Sequence, residues 1–181
     1  MRPEPIIDPP VCHNNWVMSK TAHHLKTIID TIRPRLQALT DEQAARRPTP
    51  DKWSTKEIIG HLVDSASNNH QRFIRAQFTD ELIFDGYRQE EWVKLQDYAR
   101  ADWQNLVQLW YYFNWQMARV IARVPDPVRH QLRPRHNLDK IAMRKVMPLK
   151  SVSLEYFMED YVKHLEHHLQ QIFPDYEPQL R

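Results

Sequence analysis

His164 and His168 are the only two of the chain's ten histidines that stand four residues apart. On a helix that spacing puts two Cβ atoms on one face, about 5–6 Å apart. Two imidazoles so placed can meet at one divalent cation, each nitrogen about 2.0–2.1 Å from it. Among ten histidines such a pair is common by chance, so its value depends on which face of which element it occupies. A second group stands in the first half of the chain: His61, Asp64, Ser65, Asn68 and Arg72. At about 100° per residue all five fall within about 60° of His61 on a helical projection, a continuous polar ridge. Three histidines leaving a coordination position open are a known catalytic zinc arrangement.

Other chemistries lack their residues. Two glycines in 181 residues, Gly60 and Gly86, are too few for a dinucleotide fingerprint or a P-loop. Cys12 is the single cysteine, which excludes an intrachain disulfide and a cysteine-based zinc site. The net charge of +2 comes from scattered basic and acidic residues, a poor footprint for nucleic acid. The densest basic stretch, residues 129–145, reads as a long solvated connection. No run approaches the roughly 18 apolar residues of a membrane span, and the N-terminus lacks the apolar core of a secretory signal. The expectation is a cytoplasmic protein that meets neither membrane nor nucleic acid.

The elements that must carry these residues are helices. Residues 16–39 place Leu25, Ile28, Ile29, Ile32, Leu36 and Leu39 at helical spacing, with Pro34 interrupting. Residues 54–78 open on a capping box, Ser54-x-x-Glu57, and bury Ile58, Leu62, Ala66 and Phe73. Residues 102–124 carry a broad apolar face including Leu106, Leu109, Trp110 and Met117, stopped by Pro125 and Pro127. The last helix starts near Ser151 or Ser153 and ends at Pro174, with Leu154, Phe157, Tyr161, Leu165 and Ile172 as its stripe. His164 and His168 flank that stripe, and the His61 ridge flanks the second. This is an all-α, four-helix bundle. Its long connections, residues 79–101 (holding one short helix near 89–96) and 125–150, are where a lid or rim can be built. Residues 1–15 form a Pro-rich leader and residues 16–181 one domain.

Plainer readings stand beside each of these. A histidine next to an apolar face is most often a hydrogen-bonded boundary residue. Asp64, Asn68 and Arg72 can equally be a solvated stripe with local ion pairs. His167 falls on the far side of its helix, and His13, His23, His24, His70, His130 and His136 have no matching partners.

Residues 52–73, KWSTKEIIGHLVDSASNNHQRF, resemble the second-helix signature of the DinB/YfiT-like family, and residues 161–172, YVKHLEHHLQQI, resemble its last-helix H-x-x-H-H pattern. Residues 84–92, FDGYRQEEW, are similar to the connection that follows the second helix in the YfiT branch. The resemblance implies an up-down-down-up bundle holding zinc or nickel on His61, His164 and His168. It also implies a metal-dependent thiol transferase or hydrolase acting on a small thiol or other small substrate, and a possible homodimer. In such an enzyme Asn68 and Arg72 would position an anionic part of a cosubstrate. Asp64 or Asp160 would orient a ligand imidazole through its second nitrogen. The competing expectation is a non-catalytic bundle whose metal is structural or regulatory.

Overall fold

A computed structural model describes residues 19–178. The Pro-rich segment, with Cys12, His13 and Trp16, lies outside the described residues. Among the described residues there are eight α-helices: α1 Lys20–Gln37, α2 Asp41–Ala45, α3 Thr55–Arg75, α4 Gln89–Leu95, α5 Trp103–Arg123, α6 Asp126–His130, α7 Leu138–Ile141 and α8 Leu154–Ile172. Four are long and four are short. Two single 3₁₀ turns, at Ala76–Phe78 and Tyr98–Arg100, follow α3 and α4. No strand is present among the described residues, and no helix is long and apolar enough to cross a membrane.

Each long helix starts on a polar cap that satisfies an otherwise orphaned amide. Ser19 accepts from the amide of Ala22, Asp102 from Asn105 and Ser153 from Tyr156. At α3 the expected capping box is complete: the Glu57 amide donates to Ser54 Oγ, and the Ser54 amide donates back to the Glu57 carboxylate at 2.8 Å. α1 passes through Pro34 and closes one turn later, because a proline near a helix end costs only one backbone bond. Of the apolar face expected on α5, Leu109 is in fact exposed, whereas Leu106, Trp110 and Met117 are buried.

The contacts between helices define the topology. α5 packs on α1 and α3, and α8 packs on the same two, so α1 lies diagonal to α3. Trp103 Nε1 donates to the Leu36 carbonyl and Tyr111 to Asp30, which makes α1 and α5 antiparallel. Phe73 meets Phe157 while His61 meets His164, so α3 and α8 are antiparallel too. Lys56 reaches the carbonyl of Ala101 and His70 lies by Phe113, so α3 and α5 run parallel. The order is up-down-down-up. Parallel neighbours cannot be joined by a tight turn, and that is why residues 76–102 must make a long return.

The two long connections are tied to each other. The Leu82 amide donates to the Arg135 carbonyl at 2.9 Å, and the Asn137 amide donates to the Leu82 carbonyl at 3.1 Å. The Asn137 side chain then brackets Phe84, accepting from its amide at 3.1 Å and donating to its carbonyl at 2.7 Å. One rim is thereby laid across one end of the α3–α8 pair.

Candidate metal centre

α3 and α8 bring His61, His164 and His168 together. The Nε2 of His164 lies 3.2 Å from Nε2 of His61 and 3.1 Å from Nε2 of His168. Donors about 2.1 Å from a shared tetrahedral ion stand roughly 3.4 Å from one another, so the spacing suits one ion. The other ring nitrogens decide which way the lone pairs point. His168 Nδ1 is 3.1 Å from Gln171 Oε1, and His164 Nδ1 is 3.4 Å from Ser65 Oγ. With the protons on those Nδ1 atoms, Nε2 lone pairs face one another, an arrangement that a cation stabilises and nothing else nearby does. His61 Nδ1 is buried without a hydrogen-bond partner among the described residues.

Burial sets the protonation. It pushes His61 down to about 3, with the nearby His168 adding to the effect, and His168 down to about 4. His164 is held well below its usual value by burial and then by the neighbouring histidines. All three rings are neutral at pH 7, which is the form that ligates a metal. Trp53, just before the α3 cap, walls the cluster, with its ring 5.1 Å from that of His61 and 6.4 Å from that of His168.

The remaining expected residues separate. Asp64 is buried, but its Oδ1 accepts from Tyr98 at 2.8 Å and from Gln96 at 2.6 Å, anchoring the segment after α4. Burial holds its carboxyl above the usual range. Asp160 accepts from the amides of Met143 at 3.0 Å and Arg144 at 2.7 Å, pinning the second connection. Both carboxylates are hydrogen-bonded to these connections, and it is Ser65 and Gln171 that touch imidazoles of the cluster. Asn68 is half-buried and donates to the Asp64 carbonyl one turn back. Arg72 is buried, donating to the Asn69 side chain at 3.3 Å and to the Asp85 carbonyl at 2.5 Å. His167 is exposed, with its Nε2 3.2 Å from the Gln171 amide nitrogen.

A cavity of about 90 Å³ reaches His164, lined by Ser65, Asn69 and Arg72 from α3 and by Tyr87, Ile141 and Met143 from the connections. Of these, Asn69, Tyr87, Ile141 and Met143 were not singled out from the sequence. Asn69 carried a signal, since His61, Ser65 and Asn69 form an i, i+4, i+8 row. Tyr87 is marked only by the FDGYRQEEW stretch that contains it, because nothing periodic surrounds it. What the arrangement can do chemically is hold one cation on three neutral imidazoles beside a small enclosed space.

A family model described as the DinB superfamily matches residues 24–172. The chain is 34% identical over 74 residues to a candidate metal-dependent hydrolase of Halalkalibacterium halodurans, a stretch covering 39% of this chain and 43% of that protein. The match therefore spans less than half of that relative. Among solved structures, YfiT from Bacillus subtilis, described as a probable metal-dependent hydrolase with an unusual four-helix bundle topology, is similar with a TM-score of 0.70. That likeness covers 93% of this chain and 90% of YfiT at 18% identity, and is one of fold.

Proposed function

Because the chain belongs to the DinB superfamily, we propose that it is a metal-dependent enzyme in which His61, His164 and His168 hold one divalent ion beside a small-molecule site. One observation carries this: three Nε2 atoms converge, and one of their imidazoles, that of His164, lines a cavity between α3, α8 and the two long connections. Imidazole donors suit zinc and nickel alike. When bound, such an ion supplies a Lewis acid that makes a nucleophile available near neutral pH, water in a hydrolase or a small thiol in a transferase.

The chain's own residues do the rest. Gln171 and Ser65 fix the ring orientations of His168 and His164 and keep their Nε2 atoms aimed inward. Trp53 covers the cluster on the side of His61 and His168, which limits the access of bulk water there and strengthens charge interactions inside. Tyr87, whose hydroxyl is pushed up to about 12 by burial, stays protonated and is a hydrogen-bond donor in the cavity.

The test uses protein purified without a polyhistidine tag and reloaded with cobalt. One ion per chain is expected, with a visible spectrum that changes when a small thiol is added at neutral pH. A spectrum indifferent to every thiol short of metal loss would sink the catalytic reading and favour a structural or regulatory metal.

A further inference from the structure

The cavity at His164 does not end at the histidines. A larger pocket of about 500 Å³ lies outside it, and the two share Arg72, Tyr87, Gln89 and Ile141, which form the neck between them. The neck is where the one buried guanidinium of the site stands. Arg72 is 7% exposed, and it donates to neutral oxygens, those of the Asn69 side-chain amide and the Asp85 carbonyl. No carboxylate lies within ion-pair distance of it among the described residues.

A buried cation without an acid is costly, and burial does push its pKa down. The charge of Asp85, whose backbone carbonyl Arg72 already holds, offsets part of this without coming within ion-pair distance. Arg88, at the outer pocket, is already paired with Glu91, and Asp160, which lines the inner cavity, is occupied by the Met143 and Arg144 amides. Lys140, on the outer wall, forms no ion pair among the described residues. Glu90 and Glu91 line the outer pocket, so what is left open at the neck is the Arg72 guanidinium fork itself, which has no carboxylate in ion-pair contact among the described residues.

We propose that this neck is a carboxylate subsite: the substrate is an extended molecule whose carboxylate lies on Arg72 and Tyr87 while its reacting group reaches the three-histidine centre. The planar guanidinium fork matches a carboxylate bidentately, and the Tyr87 hydroxyl becomes a third donor by exchanging its hydrogen bond with Ser65 for one to the ligand. Ser65, beside His164, and Arg72 are seven residues apart on α3, about 10.5 Å of rise. The guanidinium leans back to Asn69, one turn nearer the histidines. A linker of several atoms between the reacting group and the carboxylate fits that separation. This inference rests on the three histidines being the reacting end.

The experiment compares two thiols of equal length, 6-mercaptohexanoate and 6-mercaptohexanol, titrated into the cobalt-loaded protein. The unaltered protein should bind the acid about tenfold more tightly or better, the usual worth of hydrogen bonds to a charged group. Arg72→Gln should erase that preference while retaining cobalt. Tyr87→Phe keeps the ring packed on Trp92 and provides a second reading if Arg72→Gln does not fold; it should cut the preference about fivefold, one neutral-donor bond. No preference in the unaltered protein, or a preference that survives both substitutions, overturns the subsite. If neither thiol reaches the metal, the reading of the histidines has failed, and the neck is judged separately on metal-free protein. There hexanoate, and not hexanol, should shift the Arg72 Nε–H resonance; an unmoved resonance overturns the proposal.

Discussion

The ring of Tyr98 lies directly on the bare backbone of Gly60, so that a methyl group at residue 60 would fall within 2.7 Å of three ring carbons. The same tyrosine donates its hydroxyl to Asp64, one turn further along α3, at 2.8 Å. A helix interior normally prefers alanine to glycine by about 1 kcal/mol. Here the glycine is kept by a close approach, and that approach fastens the segment after α4 to the helix that carries His61.

Gly60→Ala should therefore destabilise the protein, against its helix propensity. Overpacking of this kind costs about 1–3 kcal/mol. Chemical denaturation of Gly60→Ala, Tyr98→Ala and the double variant measures the coupling. Additive effects would show that the ring and the glycine do not constrain each other.

Asp64→Asn should leave stability unchanged or slightly raised. The amide oxygen can still accept from Tyr98 and Gln96, and a buried carboxylate whose Oδ2 has no partner is removed. Metal content should be unaffected, because the Asp64 carboxylate is hydrogen-bonded to Gln96 and Tyr98 of the connection. A variant that folds and loses its metal would assign Asp64 an orienting role after all.

His61→Ala, His164→Ala and His168→Ala should each remove nearly all bound metal, whereas His167→Ala, on the exposed side of α8, should keep it. Elemental analysis of the untagged variants decides this. Loss in His167→Ala with retention in His164→Ala would mean that α8 presents a different face.

Without metal the domain should stay folded, since continuous apolar faces on α1, α3, α5 and α8 form its core. A chelator should lower the melting temperature and leave helical circular dichroism intact at room temperature. An unfolded metal-free chain would instead indicate an ion needed for folding, as in zinc fingers.

The metal-free protein should also lose stability as pH falls from 6.5 toward the carboxylate range. His61 and His168 have folded pKa values near 3 and 4, below the ordinary 6.5, so the unfolded chain binds protons first. Their contribution is fully present above 6.5 and is lost on the way down. Asp64 works in the opposite sense, because burial raises its pKa and protonation relieves a buried charge. Denaturation midpoints at several pH values, repeated with His168→Gln, test the sign; a flat profile over that window would contradict it.

Much of this was legible in the residues themselves. Helix spacing and caps are local: Ser54 and Glu57 announce the start of α3, and i, i+4 geometry alone aligns His164 with His168. His61 could be placed on the same ridge as Ser65 and Arg72 for the same reason. What periodicity cannot supply is the rotation of one helix against another. The ridge was drawn about His61 with Asn68 on it, yet α8 meets α3 on the Ser65 side, so Asn69 enters the cavity and Asn68 turns back to its own helix. The short helices α2, α6 and α7 carry too few residues to show a period. Tyr87, Ile141 and Met143 lie in stretches with no repeating pattern, and they reach the histidines because Leu82 and Asn137 join the two connections across more than fifty residues. Contacts of that separation depend on how the four long helices pack, which the tertiary structure alone decides.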